Sequence, residues 1–454
     1  MKSKVTIRDQ LEHYIKSNTL SISQFSQRSD INSGTISGIL NGTRPISMQH
    51  LDGITLGMAL PEGHFYELYI DEYIAGATPD WRRLRPFLGR CAELGKLDCI
   101  TKVTNEIMDN LSYTPMLFDL AEQWFGEDNK AAAMVLYQRV AESEKMQHSE
   151  RLALCHYRMF IISLGQDLDA NLRAAIRFEG YVNYLDESDQ LDALLKLAYT
   201  YSALRRWNKV DELAQQLYKI SIIEYKLHRS SKSKRLESHK RQPKRPLCSY
   251  PLYALMLRSV VCEENEDYEQ ALHYVHLYAN PDWLQQDFQE DSKRTKEQFK
   301  EWAVANIMLY RLMSGDFEVL PKYLNFISSH EDELFTAIYK LVQSANRHSY
   351  NIDSVLDRFS SHISVRSYRN KIAEYDQQIM DEQYSCLLSE LAKYHLSYNR
   401  NEGIQYILQA LQFSIRINSE KSIVRCMVLF EKYRVHATSI EKSEFNNLAS
   451  EVQI

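Results

Sequence analysis

The sequence predicts an all-α protein, a small N-terminal helical bundle followed by a long run of paired helices. Only 14 glycines and 10 prolines are spread over 454 residues, and Leu, Tyr, Ala, Glu and Gln are abundant, a composition that favours helix almost throughout. Apolar residues recur at helical spacing in segment after segment. Between these segments stand short polar turns of a similar kind.

The first element is an amphipathic helix carrying Ile7, Leu11, Tyr14 and Ile15 on one face. Ser21 and Gln24 form the S-x-x-Q pattern of a capping box, so a second helix starts at about Ile22. Phe25 and Ile31 face inward on either side of Ser29-Asp30, where Asp30 tolerates the left-handed conformation of a sharp turn. Asn32 caps a third helix. Ile36, Ile39 and Leu40 lie on one side of that helix, and Gly34, Ser37, Gly38 and Asn41 on the other. Ile46, Leu51 and Ile54 mark a following helix.

A small, polar helix face suits close approach to base edges in a major groove. The segment resembles the lambda-repressor-like helix-turn-helix family over residues 5–75. It departs from that pattern at Ile22, Ser26 and Asp30, where Gln, Ala and Gly are usual. The resemblance implies a double-stranded DNA operator as partner. The candidate DNA-binding residues are Ser33, Gly34, Thr35, Ser37, Gly38, Asn41, Thr43 and Arg44. No Arg, Lys or Gln stands among residues 33–41, and the first 60 residues carry a net charge of only +2. Because phosphate contacts supply most of the affinity, such a module works as a dimer on paired half-sites.

The whole chain has a net charge of −6, which excludes a globally basic protein. Its polar N-terminus and the absence of a long apolar stretch predict a cytosolic protein without membrane association. Seven scattered cysteines (Cys91, Cys99, Cys155, Cys248, Cys262, Cys386 and Cys426) form no C-x-x-C pair and are expected to be small buried hydrophobes. No metal-ligand spacing, P-loop or nucleophile elbow occurs, so no enzyme activity, metal or cofactor is expected.

Past residue 79 the turns Gly95-Lys96-Leu97-Asp98, Gly126-Glu127-Asp128-Asn129, Asn265-Glu266-Asp267-Tyr268, Gly315-Asp316-Phe317 and Asn399-Arg400-Asn401-Glu402 separate apolar patterns such as Ala131-Ala132-Val135-Leu136-Val140. This alternation of small and large residues is similar to degenerate tetratricopeptide-like repeats, about nine pairs, and implies a right-handed superhelix. The expected organisation is a DNA-binding domain at 1–75, a repeat domain at 76–418, and capping and dimerisation helices at 419–454. A self-complementary homodimer patch is expected from Ile423, Met427 and Phe430, with Tyr66, Tyr69 and Tyr73 as the alternative. Nine Lys or Arg against one Glu between Lys226 and Arg245 give a local charge of +8. This basic insertion, 229–247, is either a solvated loop between repeats or a source of nonspecific phosphate contacts.

A DNA-reading head followed by such repeats resembles the peptide-pheromone-responsive transcription regulators of Gram-positive bacteria and their phages, and within them most of all the arbitrium receptors and their bacterial relatives. The resemblance implies a quorum-sensing receptor: a short signalling peptide binds the repeat groove and alters operator binding. An extended peptide needs amide partners, and its carboxylate suits Arg. Arg258 and Asn306 interrupt otherwise apolar helices, and Tyr199, Tyr201, Tyr310 and Asn346 are further candidates. Each polar residue in such company is either a ligand contact or the partner of a neighbouring helix. Two other functions stay open: a DNA-binding repeat protein whose groove holds a protein partner, and an aspartyl-phosphate phosphatase like related receptors that lack a DNA-reading head.

Overall fold

The computed structural model describes residues 5–75, 80–146, 149–230, 242–284, 290–330, 333–363 and 377–452. Every regular element among them is a helix. The chain divides into two compact units, residues 1–162 and 163–454.

Unit 1 begins with α1 (Ile7–Ser17), α2 (Ile22–Ser29), α3 (Ser33–Leu40), α4 (Met48–Gly57) and α5 (Tyr66–Tyr73). The Ser21 hydroxyl accepts from Gln24 N, and the Gln24 side chain accepts from Ser21 N. Asp30 adopts φ 51, the left-handed turn that lets α3 leave α2 sharply. The Asn32 side chain then accepts from Gly34 N at 2.8 Å and starts α3. Ile7, Leu11, Phe25, Ile36, Ile39, Ile46, Leu51 and Ile54 are fully buried between these helices. Gly53 and Gly57, one turn apart, let α4 lie against α2. A Cβ on Gly53 would come within 2.7 Å of Ser29 O, and one on Gly57 within 2.7 Å of the Phe25 ring.

Unit 1 continues through α6 (Trp81–Glu93), α7 (Leu97–Ile107), α8 (Tyr113–Gly126), α9 (Lys130–Glu144) and α10 (Glu150–Ser163). Residue 75 is not a compact boundary. The ring of Phe87 on α6 packs on Tyr66 and Tyr69 of α5, and Arg90 pairs with Asp52 of α4 at 2.9 Å. Glu122 of α8 fastens the far end by meeting Tyr137 of α9 and both arms of Arg158 of α10.

Unit 2 comprises α11 (Leu168–Glu179), α12 (Glu187–Ala203), α13 (Trp207–Ser230), α14 (Ser249–Glu264), α15 (Tyr268–Ala279), α16 (Glu290–Met313), α17 (Leu320–Ser328), α18 (Leu334–His348), α19 (Asp353–Phe359), α20 (Gln377–Ser397), α21 (Glu402–Arg416), α22 (Glu420–Tyr433) and α23 (Ser439–Glu451). Turns between them use left-handed residues, including Arg205, Glu266, Gly315 and Asn399. The even-numbered helices α12, α14, α16, α18 and α20 touch in series, and α12 also touches α20, so they close a ring. The odd-numbered helices α13, α15 and α17 each lie over two ring helices as an outer layer. The closure is reinforced where Leu168 N donates to Ile417 O at 2.9 Å and Asn418 reaches Asp167. The open groove expected from the repeat pattern is therefore, within this unit, a closed interior.

Of the basic stretch 229–247, residues 231–241 lie outside the described residues. Its last residues are docked: Lys244 N donates to Asp192 of α12 at 3.1 Å, and Arg245 donates to the Tyr253 hydroxyl of α14 at 3.1 Å.

Candidate functional site

The candidate DNA-reading residues fall into two groups. Ser33, Gly34, Asn41, Thr43 and Arg44 are exposed, and Ser37 and Gly38 are half-buried. Thr35 differs. It is 7% exposed, and its hydroxyl accepts from Arg44 Nη1, so it holds a side chain in place and has little surface of its own. Gly38 also has a structural task. Its carbonyl accepts from both Thr43 N and Arg44 N at 3.0 Å, and a Cβ there would come within 3.2 Å of Arg44. The chain leaving α3 thus folds back on the helix and fixes Arg44 beside its C-terminal half. Arg8 of α1 lies against Gly42, which brings a second guanidinium to this end of α3. Position in sequence alone, 34 residues from Gly42, carries no sign of it.

In unit 2 the proposed peptide contacts all have partners inside the protein. Arg258 donates to Asp211 of α13 at 3.0 Å and covers the Tyr274 ring of α15, so it points to the outer layer. Asn306 donates to the Tyr278 hydroxyl at 2.7 Å. Tyr201 donates to Glu179 of α11 at 2.6 Å, and Tyr199 meets the Tyr253 ring edge-on. Asn346 ties α18 to α20 through Glu390. Tyr310 is 1% exposed, with its hydroxyl 3.3 Å from Ser259 Oγ, and offers no surface to a ligand. Their polarity among apolar neighbours is explained by these pairings.

The charges that do face the ring interior lie elsewhere. Arg205 follows α12, Glu263 and Glu264 end α14, Lys340 is on α18, Glu382 and Cys386 on α20, and Ser422 and Arg425 on α22. Arg205 Nη2 reaches Glu264 at 2.5 Å, and Lys340 Nζ lies 2.7 Å from Glu263 and 3.0 Å from Glu264. Arg425 donates to Cys386 Sγ at 2.8 Å, Ser422 donates to Glu382 at 2.7 Å, and Lys421 Nζ donates to Arg205 O at 3.0 Å. Glu382 Oε2 is buried without a hydrogen bond.

Electrostatics divides the two α14 carboxylates. Burial raises the Glu263 pKa, Lys340 opposing it only in part. The same burial acts on Glu264, but Lys340 and Arg205 outweigh it and hold that carboxyl below its ordinary value. For Lys340, burial favours the neutral amine, and the two glutamates more than reverse this, so the ammonium persists. The interior is thus a set of cations and anions drawn from five places in the chain, satisfied largely by each other. Lys340 interrupts the run Ala337-Ile338-Tyr339-Lys340-Leu341-Val342, which is the signal that would have found it.

No group of three or more His, Cys, Asp or Glu among the described residues is arranged to hold a metal ion, and no described helix is long and apolar enough to cross a membrane. No family model matches the chain, and no curated protein matches it.

Proposed function

We propose that this protein is a peptide-gated DNA-binding transcription regulator, with a lambda-repressor-like helix-turn-helix head and a tetratricopeptide-like repeat domain. The observation that carries the reading is the geometry of α2 and α3. Two capped eight-residue helices meet at a left-handed Asp30, and the second, with the chain leaving it, presents Ser33, Gly34, Asn41, Thr43 and Arg44 to solvent. That surface is small, polar and bordered by Arg8 and Arg44, which suits a major groove flanked by phosphates.

The peptide half rests on the interior of unit 2. Arg205, Lys340 and Arg425 are the groups that a peptide carboxylate would meet, and Glu263, Glu264 and Glu382 those that an amine would meet. A ligand entering there would exchange partners with the network, and its different affinity for two arrangements of the ring would shift operator affinity. In this reading the protein acts as a homodimer.

A gel-shift assay with DNA from upstream of the protein's own gene tests the first half. Retention of that DNA in preference to a scrambled competitor at the same salt is expected. Adding short peptides encoded beside the gene tests the second half, and a change in retention is expected. Selective retention without any peptide response would favour the protein-partner reading.

A further inference from the structure

Apart from the interior, unit 2 carries a cleft of about 680 Å³ bounded by α19, α20, α21 and the turn at Arg400. It shares no lining residue with the charge network. That volume falls within the range of small-molecule sites. Its floor is aromatic and aliphatic: Tyr384, Leu388 and Leu391 from α20, with Tyr406 from α21. The His395 ring stacks on Tyr406 with centroids 5.2 Å apart.

Among the described residues the lining of the cleft carries four charged side chains, three acidic and one basic. Asp353 and Arg400 cancel, because both arms of the guanidinium meet the carboxylate at 2.8 and 2.6 Å and the Tyr394 hydroxyl donates to it as well. This clamp is a rigid wall with no charge to spare. Asp357 and Glu402 remain, both exposed. His395 Nδ1 lies 3.6 Å from Glu402 Oε2 and is buried without a hydrogen-bond partner. Burial is the largest influence on this imidazole and lowers its pKa, so it is neutral near pH 7. A neutral imidazole keeps one N–H, and the nearby Glu402 carboxylate favours that hydrogen on Nδ1.

We propose that this cleft is a binding site for a small organic ammonium ion carrying an aromatic or aliphatic body. The ammonium donates to Glu402 and Asp357, and the body lies against Tyr406 and Tyr384, whose rings attract the positive charge. An anion of the same shape would meet the two exposed carboxylates. The site is independent of DNA reading and of a peptide in the ring interior.

The test is calorimetry on the full chain with tyramine and with 4-hydroxyphenylacetate, probes that share a ring and differ in the sign of charge. Tyramine is expected to bind and the carboxylate not. Asp357→Asn and Glu402→Gln, both at exposed positions, should each weaken tyramine by about fivefold, the size of an exposed charge pair. Gln409→Glu adds a carboxylate to the rim and should tighten it. Equal binding of the two probes, no binding of tyramine at millimolar concentration, or full affinity in the Asp357→Asn, Glu402→Gln double variant would overturn the proposal. Operator retention in the gel shift is expected to be unchanged by these variants, so failure here and failure of the DNA reading are told apart.

Discussion

Lys340 and Glu263 form an ion pair in which both side chains are almost wholly buried, 6% and 4% exposed, with Nζ 2.7 Å from Oε1. Two charges withdrawn from water to this degree persist only because a second carboxylate, Glu264, and the Arg205 guanidinium complete the group.

Removing the lysine alone should therefore be severe. Lys340→Ala leaves two buried carboxylates without their shared cation, a change worth about 3–5 kcal/mol. At roughly 2–4 °C per kcal/mol for a domain of this size, the loss amounts to about ten degrees in Tm. Replacing Lys340 by Met together with Glu263→Gln should restore most of it, because Glu264 keeps Arg205 as its counter-ion and the other two groups are neutral. A thermal melt of Lys340→Ala indistinguishable from wild type would show that the network is solvated.

The pH dependence of stability follows from Glu263. Its pKa is higher in the folded than in the unfolded chain, so the unfolded chain releases this proton first. Stability from this group is full below the ordinary carboxylate range and falls as pH rises through the folded value. Glu263→Gln should flatten that decline and leave the variant at least as stable as wild type at pH 8. Glu264 has the opposite sign, with stability present above the ordinary range and lost on acidification. Urea midpoints between pH 4 and 8 for the two single variants check both directions.

The Asp30 turn makes a local prediction. Asp30→Gly keeps the left-handed backbone and should fold normally. Asp30→Val places a β-branched residue at φ 51 and should cost about 1–2 kcal/mol. If α3 reads DNA, Arg44→Ala should weaken binding to all sequences and reduce the salt slope by about one. An unchanged slope would take Arg44 off the list of phosphate contacts.

These elements differ in how far the sequence reveals them. The Ser21–Gln24 box, the Asp30 turn and the Asn32 cap are legible because their partners lie within three residues. The ring interior is not, since Arg205, Lys340 and Arg425 converge from positions more than two hundred residues apart across the set, and no local pattern records that. Arg258 and Asn306 were singled out by the same rule that Lys340 satisfies. Burial among apolar neighbours shows that a polar side chain has a partner, and not which partner.

The C-terminal patch shows an error of phase. Of Ile423, Met427 and Phe430, expected on a self-complementary surface, Ile423 and Phe430 are 6% and 0% exposed and Met427 is half-buried, and Phe430 stacks on Phe445 of α23 to seal the unit. Of the alternative at Tyr66, Tyr69 and Tyr73, the first two are buried and Tyr73 is half-buried. Val424 and Val428, one residue on from Ile423 and one turn apart, are 53% and 65% exposed. If the protein is a homodimer through this helix, Val424→Asp with Val428→Asp should yield a soluble monomer in sedimentation. A variant that still sediments as a dimer would move the interface off α22.

The bond from Leu168 N to Ile417 O, with Asn418 meeting Asp167 across 251 positions of sequence, has a kinetic meaning. An open array of repeats frays from its ends, and each terminal pair can melt while the rest stands. Here the first helix of unit 2 is bonded to the turn between α21 and α22, so its N-terminal end is not free to peel. Amide exchange at α11 and α22 should accordingly be as slow as at α14, and the unit should open in one step. Contacts of such sequence separation slow assembly of the unit.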